Sequence, residues 1–306
     1  MTEKRYALLP DRGVLTIAGE DHREFLQGLI SNDVNKVDAA HAGYAAFLTP
    51  QGKYLHDFFL AQHDDSLLLD GEAERLPDLL RRLKMYRLRA KVDLADVSDG
   101  WIVAALYGDG CAEALGLDGE TASAPLDGGV AYLDPRLAAA GARAVLPRDT
   151  AEETLAGAGF TAATSEDYDA HRLSLGLPDG SRDLALEKSI LLESGFEELN
   201  GVDWDKGCYM GQELTARTKY RGLIKKRLLP VRIDGPAPAP GTPITAGERD
   251  AGEMRSSRDG RGLALLRLEF AGLNDGDGTG LQAGDATLQA WKPEWLDLAT
   301  GRESPG

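Results

Sequence analysis

The sequence predicts an α+β protein. Three observations carry that prediction. Helical spacings mix with strand-like alternation without a regular β-α-β succession. A proline-glycine turn joins two apolar runs into a hairpin. The last quarter breaks into short apolar runs between glycine turns, as in a small all-β unit.

Val14 to Ile17 reads as a strand ending at a Gly19 turn. Asp21 is placed to cap a helix whose Phe25, Leu26, Leu29 and Ile30 share a face, and Ser31-Asn32-Asp33 stops it. Tyr44 to Leu48 and Tyr54 to Leu60 are strands joined by Thr49-Pro50-Gln51-Gly52, a type I turn pattern, and a further strand follows at Leu67 to Leu69. Leu76, Leu79, Leu80 and Leu83 recur at helical spacing. Arg87 to Leu94 then alternates, which predicts a half-exposed strand. Trp101 to Tyr107 and Arg143 to Leu146 are strands; Ala151 to Ala158 and Glu166 to Leu175 are helices, the second with a Thr164/Asp167 capping signal. Pro236, Pro238, Pro240 and Pro243 mark an extended loop. Beyond it, Gly262 to Leu268 and Ala286 to Trp291 read as strands.

The chain has 306 residues, with 34 Lys+Arg against 50 Asp+Glu and a net charge of −16. That length predicts two or three domains, and 42% hydrophobic content is enough to build their cores. An acidic whole disfavours nucleic-acid coating and anionic membranes. The charge is uneven: Arg75 to Lys91 and Lys206 to Arg227 each hold seven bases and one acid. An anionic ligand is expected where those stretches focus the field. No apolar run is long enough to span a membrane, and no signal peptide is evident at Met1 to Pro10. The expected location is cytoplasmic.

Several chemistries lack their residues. Phosphate-loop, serine-esterase and zincin signatures are absent. The Asp- and Gly-rich run Asn274 to Gly280 is read as a β-turn, because Ala286 stands where a calcium loop needs its twelfth-position Glu. The five histidines lack metal-ligand spacing. His56 and Asp57 are neighbours on a strand and so face opposite ways. Two cysteines, Cys111 and Cys208, form neither a zinc ribbon nor a disulfide scaffold, and Cys111 is read as a buried apolar residue.

Lys206-Gly207-Cys208-Tyr209-Met210-Gly211-Gln212-Glu213 is the most informative segment. Two glycines bracket a thiol, and a helix is expected from about Gly211, with Glu213 facing Arg217 at i, i+4. Cys208 would then lie just before a helix N-terminus, where the dipole and Lys206, Arg217, Lys219 and Arg221 favour a thiolate.

This octapeptide resembles the K-G-C-Y-x-G-Q-E signature of the YgfZ-type folate-binding proteins, a family that includes mitochondrial iron–sulfur assembly factors and is related to the glycine-cleavage T-protein. Four more blocks resemble that family in order: the run from Gly19 to Val34, the hairpin from Leu48 to Asp57, Tyr86 to Val97, and Thr215 to Gly222. Gly252 to Leu266 resembles a block of its C-terminal barrel.

The resemblance implies a GcvT-like fold of three subdomains in a ring: two interleaved α+β subdomains over 1–225 and a small β-barrel over 226–306. It implies tetrahydrofolate or a derivative as cofactor. It also implies support of four-iron four-sulfur cluster assembly or repair, with an indirect effect on tRNA methylthiolation, and partners among iron–sulfur clients or scaffolds. Cys208 is the expected essential thiol, with Lys206 and Arg217 tuning it or contacting an anionic ligand, and Gly207 and Gly211 permitting close backbone approach. Asn32, Asp33, Gly207, Tyr209, Gln212, Arg217 and Arg221 are the candidate folate contacts. Departures from the aminomethyltransferase pattern favour the assembly branch: Ser174 stands where a pterin-gripping glutamate is expected, and Gly52-Lys53 and His56-Asp57 replace a Gly-Gly pair and successive acids. The alternative is a folate-dependent aminomethyltransferase or demethylase, with Asp57 as its remaining carboxylate.

Overall fold

The computed structural model describes residues 2–222, 224–273 and 280–298. The loop from Asn274 read as a β-turn lies outside them as far as residue 279. The chain divides into two compact units: Met1–Leu48, Leu55–Tyr168 and Leu199–Met210 form the first, and Thr49–Tyr54, Asp169–Glu198 and the chain from Gly211 the second.

In chain order the first unit holds β1 (Arg5–Leu8), β2 (Arg12–Ala18), α1 (His22–Gln27), β3 (Gly43–Leu48), β4 (Tyr54–His63), β5 (Ser66–Glu72), α2 (Leu76–Tyr86), β6 (Asp93–Asp96), β7 (Trp101–Tyr107), α3 (Cys111–Ala114), β8 (Ser123–Leu126), β9 (Gly129–Leu133), β10 (Ala142–Pro147), α4 (Ala151–Gly157) and β11 (Thr161–Ala163). They make two sheets, ordered β3-β4-β5-β2-β6 and β11-β1-β7-β10-β9-β8. The first packs α1 and α2 over a core that includes Leu15, Ile17, Leu26, Phe47, Phe58, Leu79 and Leu83. Each such side chain contributes about 1.5–3 kcal/mol on full burial. The second has its own core around Leu106, Ala144 and Leu155. Between β-strands Arg12 and Arg143 share the buried Asp70 carboxylate, and the Arg143 and Arg136 guanidinium groups lie 4.1 and 4.8 Å from the Phe59 ring centre.

The second unit holds most of α5 (Ser165–Leu175), then α6 (Gly180–Asp183), α7 (Gln212–Tyr220), β12 (Lys226–Asp234), β13 (Pro243–Ala246), β14 (Arg249–Arg258), β15 (Arg261–Arg267), β16 (Leu281–Ala283) and β17 (Ala286–Ala290). These six strands close a barrel in the order β12-β15-β14-β13-β16-β17. Closure leaves no unpaired sheet edge. Buried Arg172 ties α5 to the barrel: it donates to Asp169 (2.7 Å), Asp183 (2.7 Å) and Ser256 of β14 (2.9 Å).

Most expected elements form where the sequence places them, and the Thr164 capping box closes as read, with Thr164 N–H donating to Asp167 and Asp167 N–H donating back. In the hairpin turn the Gly52 N–H donates to the Thr49 carbonyl at 2.8 Å. Two expectations fail. The Asp21 side chain does not cap α1; its carboxylate accepts the Lys91 backbone N–H at 2.7 Å. And Arg87 to Val92 is not a strand: pairing starts at Asp93, and Leu88 points to solvent with φ +45°. Apolar alternation alone cannot distinguish a strand from a turn that happens to carry a leucine.

Candidate functional site

The site in the first unit is organised by the end of α1. The helix stops after Gln27 at Gly28, a poor helix former. Its last carbonyls have no partners within the helix. The segment from Lys206 to Met210 supplies them. Lys206 Nζ donates to the carbonyls of Gln27 (2.8 Å) and Ile30 (2.5 Å), and Met210 N–H donates to Gly28 (3.1 Å). Gln27 Nε2 donates back to the Lys206 carbonyl at 3.2 Å.

The chain just before it is stitched to the same region. Ser31 Oγ donates to the Gly201 carbonyl (2.5 Å), Asp203 N–H donates to the Ser31 carbonyl (3.0 Å), and Asn32 Nδ2 donates to the carbonyls of Tyr44 and Asn200 (2.7 Å each). Asp33 accepts the Asn35 N–H at 2.9 Å and so caps the turn at Val34–Lys36.

Cys208 is exposed, between the two pinned ends of this loop. Tyr209 beside it is buried, with the Lys206 ammonium 5.1 Å from its ring centre. Gly207 has φ +90° with open space where a Cβ would point, so its conformation, rather than the close approach expected from sequence, calls for glycine. Close approach occurs instead within the second unit, at Gly52, where a Cβ would meet the Gly211 carbonyl oxygen at 2.5 Å.

Burial lowers the Lys206 pKa to about 8, while Asp33 and Asp203 pull it upward. Its ammonium is committed to the Gln27 and Ile30 carbonyls at the end of α1, which makes it a positioning group. Cys111, by contrast, is buried against the Leu106 carbonyl, and burial pushes its thiol up to about 11. That environment keeps it protonated and inert.

A cleft of about 370 Å³ opens beside this loop, lined by Asn32, Asp33, Tyr44, Asn200, Asp203 and Trp204 among others. Its size falls in the range of small-molecule sites. Four acids (Asp33, Glu120, Asp203, Asp205) and one base, Lys36, line it, and Lys36 already pairs with Asp203 at 2.6 Å. Neither basic stretch contributes to the lining, contrary to the expected cationic cleft. In the first stretch the charge is spent elsewhere: Arg81 and Arg82 hold Asp78.

Other expected site residues lie apart from the cleft lining. Asp57 is buried and accepts the Tyr44 hydroxyl at 2.9 Å, while His56 turns the opposite way to Asp78 at 3.1 Å, as strand geometry requires. Gln212 opens α7, where Arg217 pairs with Glu213, and Arg221 is its exposed C-cap; all four belong to the second unit. Ser174 Oγ donates to the His171 carbonyl one turn back. Tyr44, Asn200, Asp203 and Trp204 were not foreseen. The acid-flanked Trp204 two residues upstream of Lys206 was the available signal.

The chain is 35% identical to the mitochondrial iron–sulfur cluster assembly factor IBA57 of Homo sapiens over 281 residues, covering 85% of this chain and 77% of that protein. The chain belongs to the IBA57 family of iron–sulfur cluster assembly factors. The IBA57 homologue of Mycosarcoma maydis is also 35% identical, over 74% of this chain, although the match spans only 57% of that longer protein. Residues 225–298 match the CAF17 C-terminal beta-barrel domain, in register with the closed barrel that begins at Lys226. In fold, the structure is similar to the glycine cleavage system aminomethyltransferase T of Bartonella henselae, with TM-score 0.76 over 96% of this chain and 86% of that one at 13% identity. That likeness establishes the GcvT-like α+β fold expected from sequence. The expected cytoplasmic location is overturned: the IBA57 relatives are mitochondrial proteins by name.

Proposed function

We propose that this IBA57-family chain assembles or repairs iron–sulfur clusters, four-iron four-sulfur clusters in particular, through the Cys208 thiol. The observation that carries the reading is the presentation of Cys208: exposed, on a loop whose ends are fixed to α1 by Lys206 and Met210. A thiolate is the form that ligates iron. One thiol cannot complete a site that takes four ligands. The cluster is therefore cargo, shared for a time with a scaffold or client protein. Loss of tRNA methylthiolation would follow only indirectly, through the radical enzymes that need such clusters. Expression of the chain in a strain lacking its own IBA57-type factor should restore four-iron enzyme activity. No recovery would end the reading.

We further propose, following the YgfZ-type resemblance, that the cleft takes the pterin end of a tetrahydrofolate. The residues present fit that end: Asp33 and neighbouring carboxylates can accept from its amino and ring N–H groups, and Trp204 offers aromatic surface. When bound, the folate would supply one-carbon units. The acidic lining does not suit its glutamate tail. The engagement of buried Asp57 by Tyr44 favours cluster assembly over one-carbon transfer that uses Asp57 as acid or base. Titration calorimetry with tetrahydrofolate should show binding that is weakened in Trp204→Ala. Absence of heat with the wild-type chain would remove the folate reading alone.

A further inference from the structure

The exposed end of α2 and the turn that leads from it to β6 take no part in the site above. Lys84-Met85-Tyr86-Arg87-Leu88-Arg89 are all exposed, with Met85 at 58% and Leu88 at 88%. Leu88 has φ +45°, a left-handed conformation that costs a residue with a Cβ about 1–2 kcal/mol. The turn closes with the Ala90 N–H donating to the Arg87 carbonyl at 2.8 Å, but the Leu88 side chain itself joins no core among the described residues.

The charges here are also uncommitted. Arg81 and Arg82 hold Asp78, and Lys91 holds Glu20 at 2.6 Å. Among the described residues, Lys84 and Arg89 make no side-chain hydrogen bond or ion pair, and Arg87 donates to the Val92 carbonyl at 3.4 Å. The turn thus pairs free cations with unburied aliphatic side chains, on a chain whose net charge is −16.

We propose that this turn is a docking surface for a partner protein whose contact face carries carboxylates around an apolar side chain. Charge complementarity selects the acidic face. Met85 and Leu88 select a protein: an aliphatic anchor contributes only against a face that can be desolvated with it. A polyanionic nucleic acid would meet the repulsion of the whole acidic chain.

The position of the turn gives docking a purpose. A groove lined by Asp21, Glu24 and Phe25 of the α1 region runs beneath residues 86–90. The other end of α1 carries the Cys208 loop through Gln27 and Gly28. Six helical residues span about 9 Å, so a partner seated on the turn lies within a short reach of the thiol. That the partner gives or receives a cluster rests on the assembly reading; the docking chemistry does not.

The test uses the full chain and fluorescence anisotropy with two labelled helical peptides of equal negative charge, one with leucines on one face and one with serines there, plus a tRNA probe. The leucine peptide should bind about tenfold tighter than the serine peptide, as one buried aliphatic anchor implies, and more weakly as salt rises. Leu88→Ser should erase the preference, and Arg87→Glu with Arg89→Glu should remove binding, with melting temperatures unchanged. Equal affinity for both peptides, indifference to these variants, or tRNA displacing the leucine peptide would overturn the proposal. In the strain lacking the factor, rescue by wild type but not by Leu88→Glu is expected. Equal rescue by both would overturn docking, whereas failure of the wild type to rescue would instead strike the assembly reading.

Discussion

Lys206 closes the end of α1 by donating from Nζ to the carbonyl oxygen of Ile30, 176 residues earlier in the chain, at 2.5 Å. The contact joins a helix terminus whose carbonyls are short of donors to a loop that needs an anchor beside its exposed thiol. Replacement by methionine keeps the aliphatic stem and removes the donor. Lys206→Met should cost about 1–2 kcal/mol in urea unfolding, the scale of charge-assisted hydrogen bonds at a half-buried group. It should also speed exchange of the Met210 amide, which bonds to Gly28 in the same arrangement. Unchanged Met210 protection would show that Lys206 does not hold the loop.

The same amine should titrate at an unusual pH. Burial lowers its pKa to about 8, against the upward pull of Asp33 and Asp203. Between about 8 and the unfolded value near 10.4 the unfolded chain holds the extra proton, so this group makes stability rise with pH there. Carbon-13 NMR of the reductively methylated protein should show one lysine with a midpoint near 8. Asp33→Asn should lower that midpoint further by removing one of the opposing charges. A Lys206 midpoint above 10 would contradict the buried geometry.

His56 sets an acid limit. Burial, and then Arg75, lower its pKa to about 4, against the pull of its Asp78 partner. A histidine that protonates at about 6.5 when unfolded but about 4 when folded withdraws stability as pH falls through that window, up to about 3 kcal/mol over the whole span. His56→Gln should flatten the decline between pH 6.5 and 4 in denaturant titrations. A wild-type and variant pair with parallel profiles would exclude His56 as the source.

Arg172 is the corresponding test in the second unit. Its guanidinium is buried between Asp169 and Asp183, and Asp183 is itself nearly inaccessible. Arg172→Ala leaves buried Asp183 without its counterion, while Asp169 keeps Arg182 and Arg258, and one-sided removal of a buried pair typically costs about 3–5 kcal/mol. A loss of under about 1 kcal/mol in thermal or urea unfolding would show that water takes over the role.

How far the sequence could be read follows from which interactions are local. The hairpin turn at Thr49–Gly52, the capping box at Thr164 and the leucine face of α2 are written in neighbouring residues, and all form as read. The Cys208 segment was legible as a block of residue types. Its support was not, because Gln27, Ile30 and Ser31 act through carbonyls and a hydroxyl that meet residues some 170 positions away. Tyr44 and Trp204 escaped notice for the same reason. The Arg87 to Val92 turn misled because its alternation imitates a strand, and only pairing with β2, which begins at Asp93, distinguishes the two.

The central claim is that Cys208, rather than the protein's thiol content, carries the function. The direct measurement is four-iron enzyme activity in a strain whose only copy of this factor is Cys208→Ala or Cys111→Ala, with folded protein levels matched by melting temperature. Loss of activity with Cys208→Ala and retention with Cys111→Ala is the predicted result. Full activity with Cys208→Ala would contradict it.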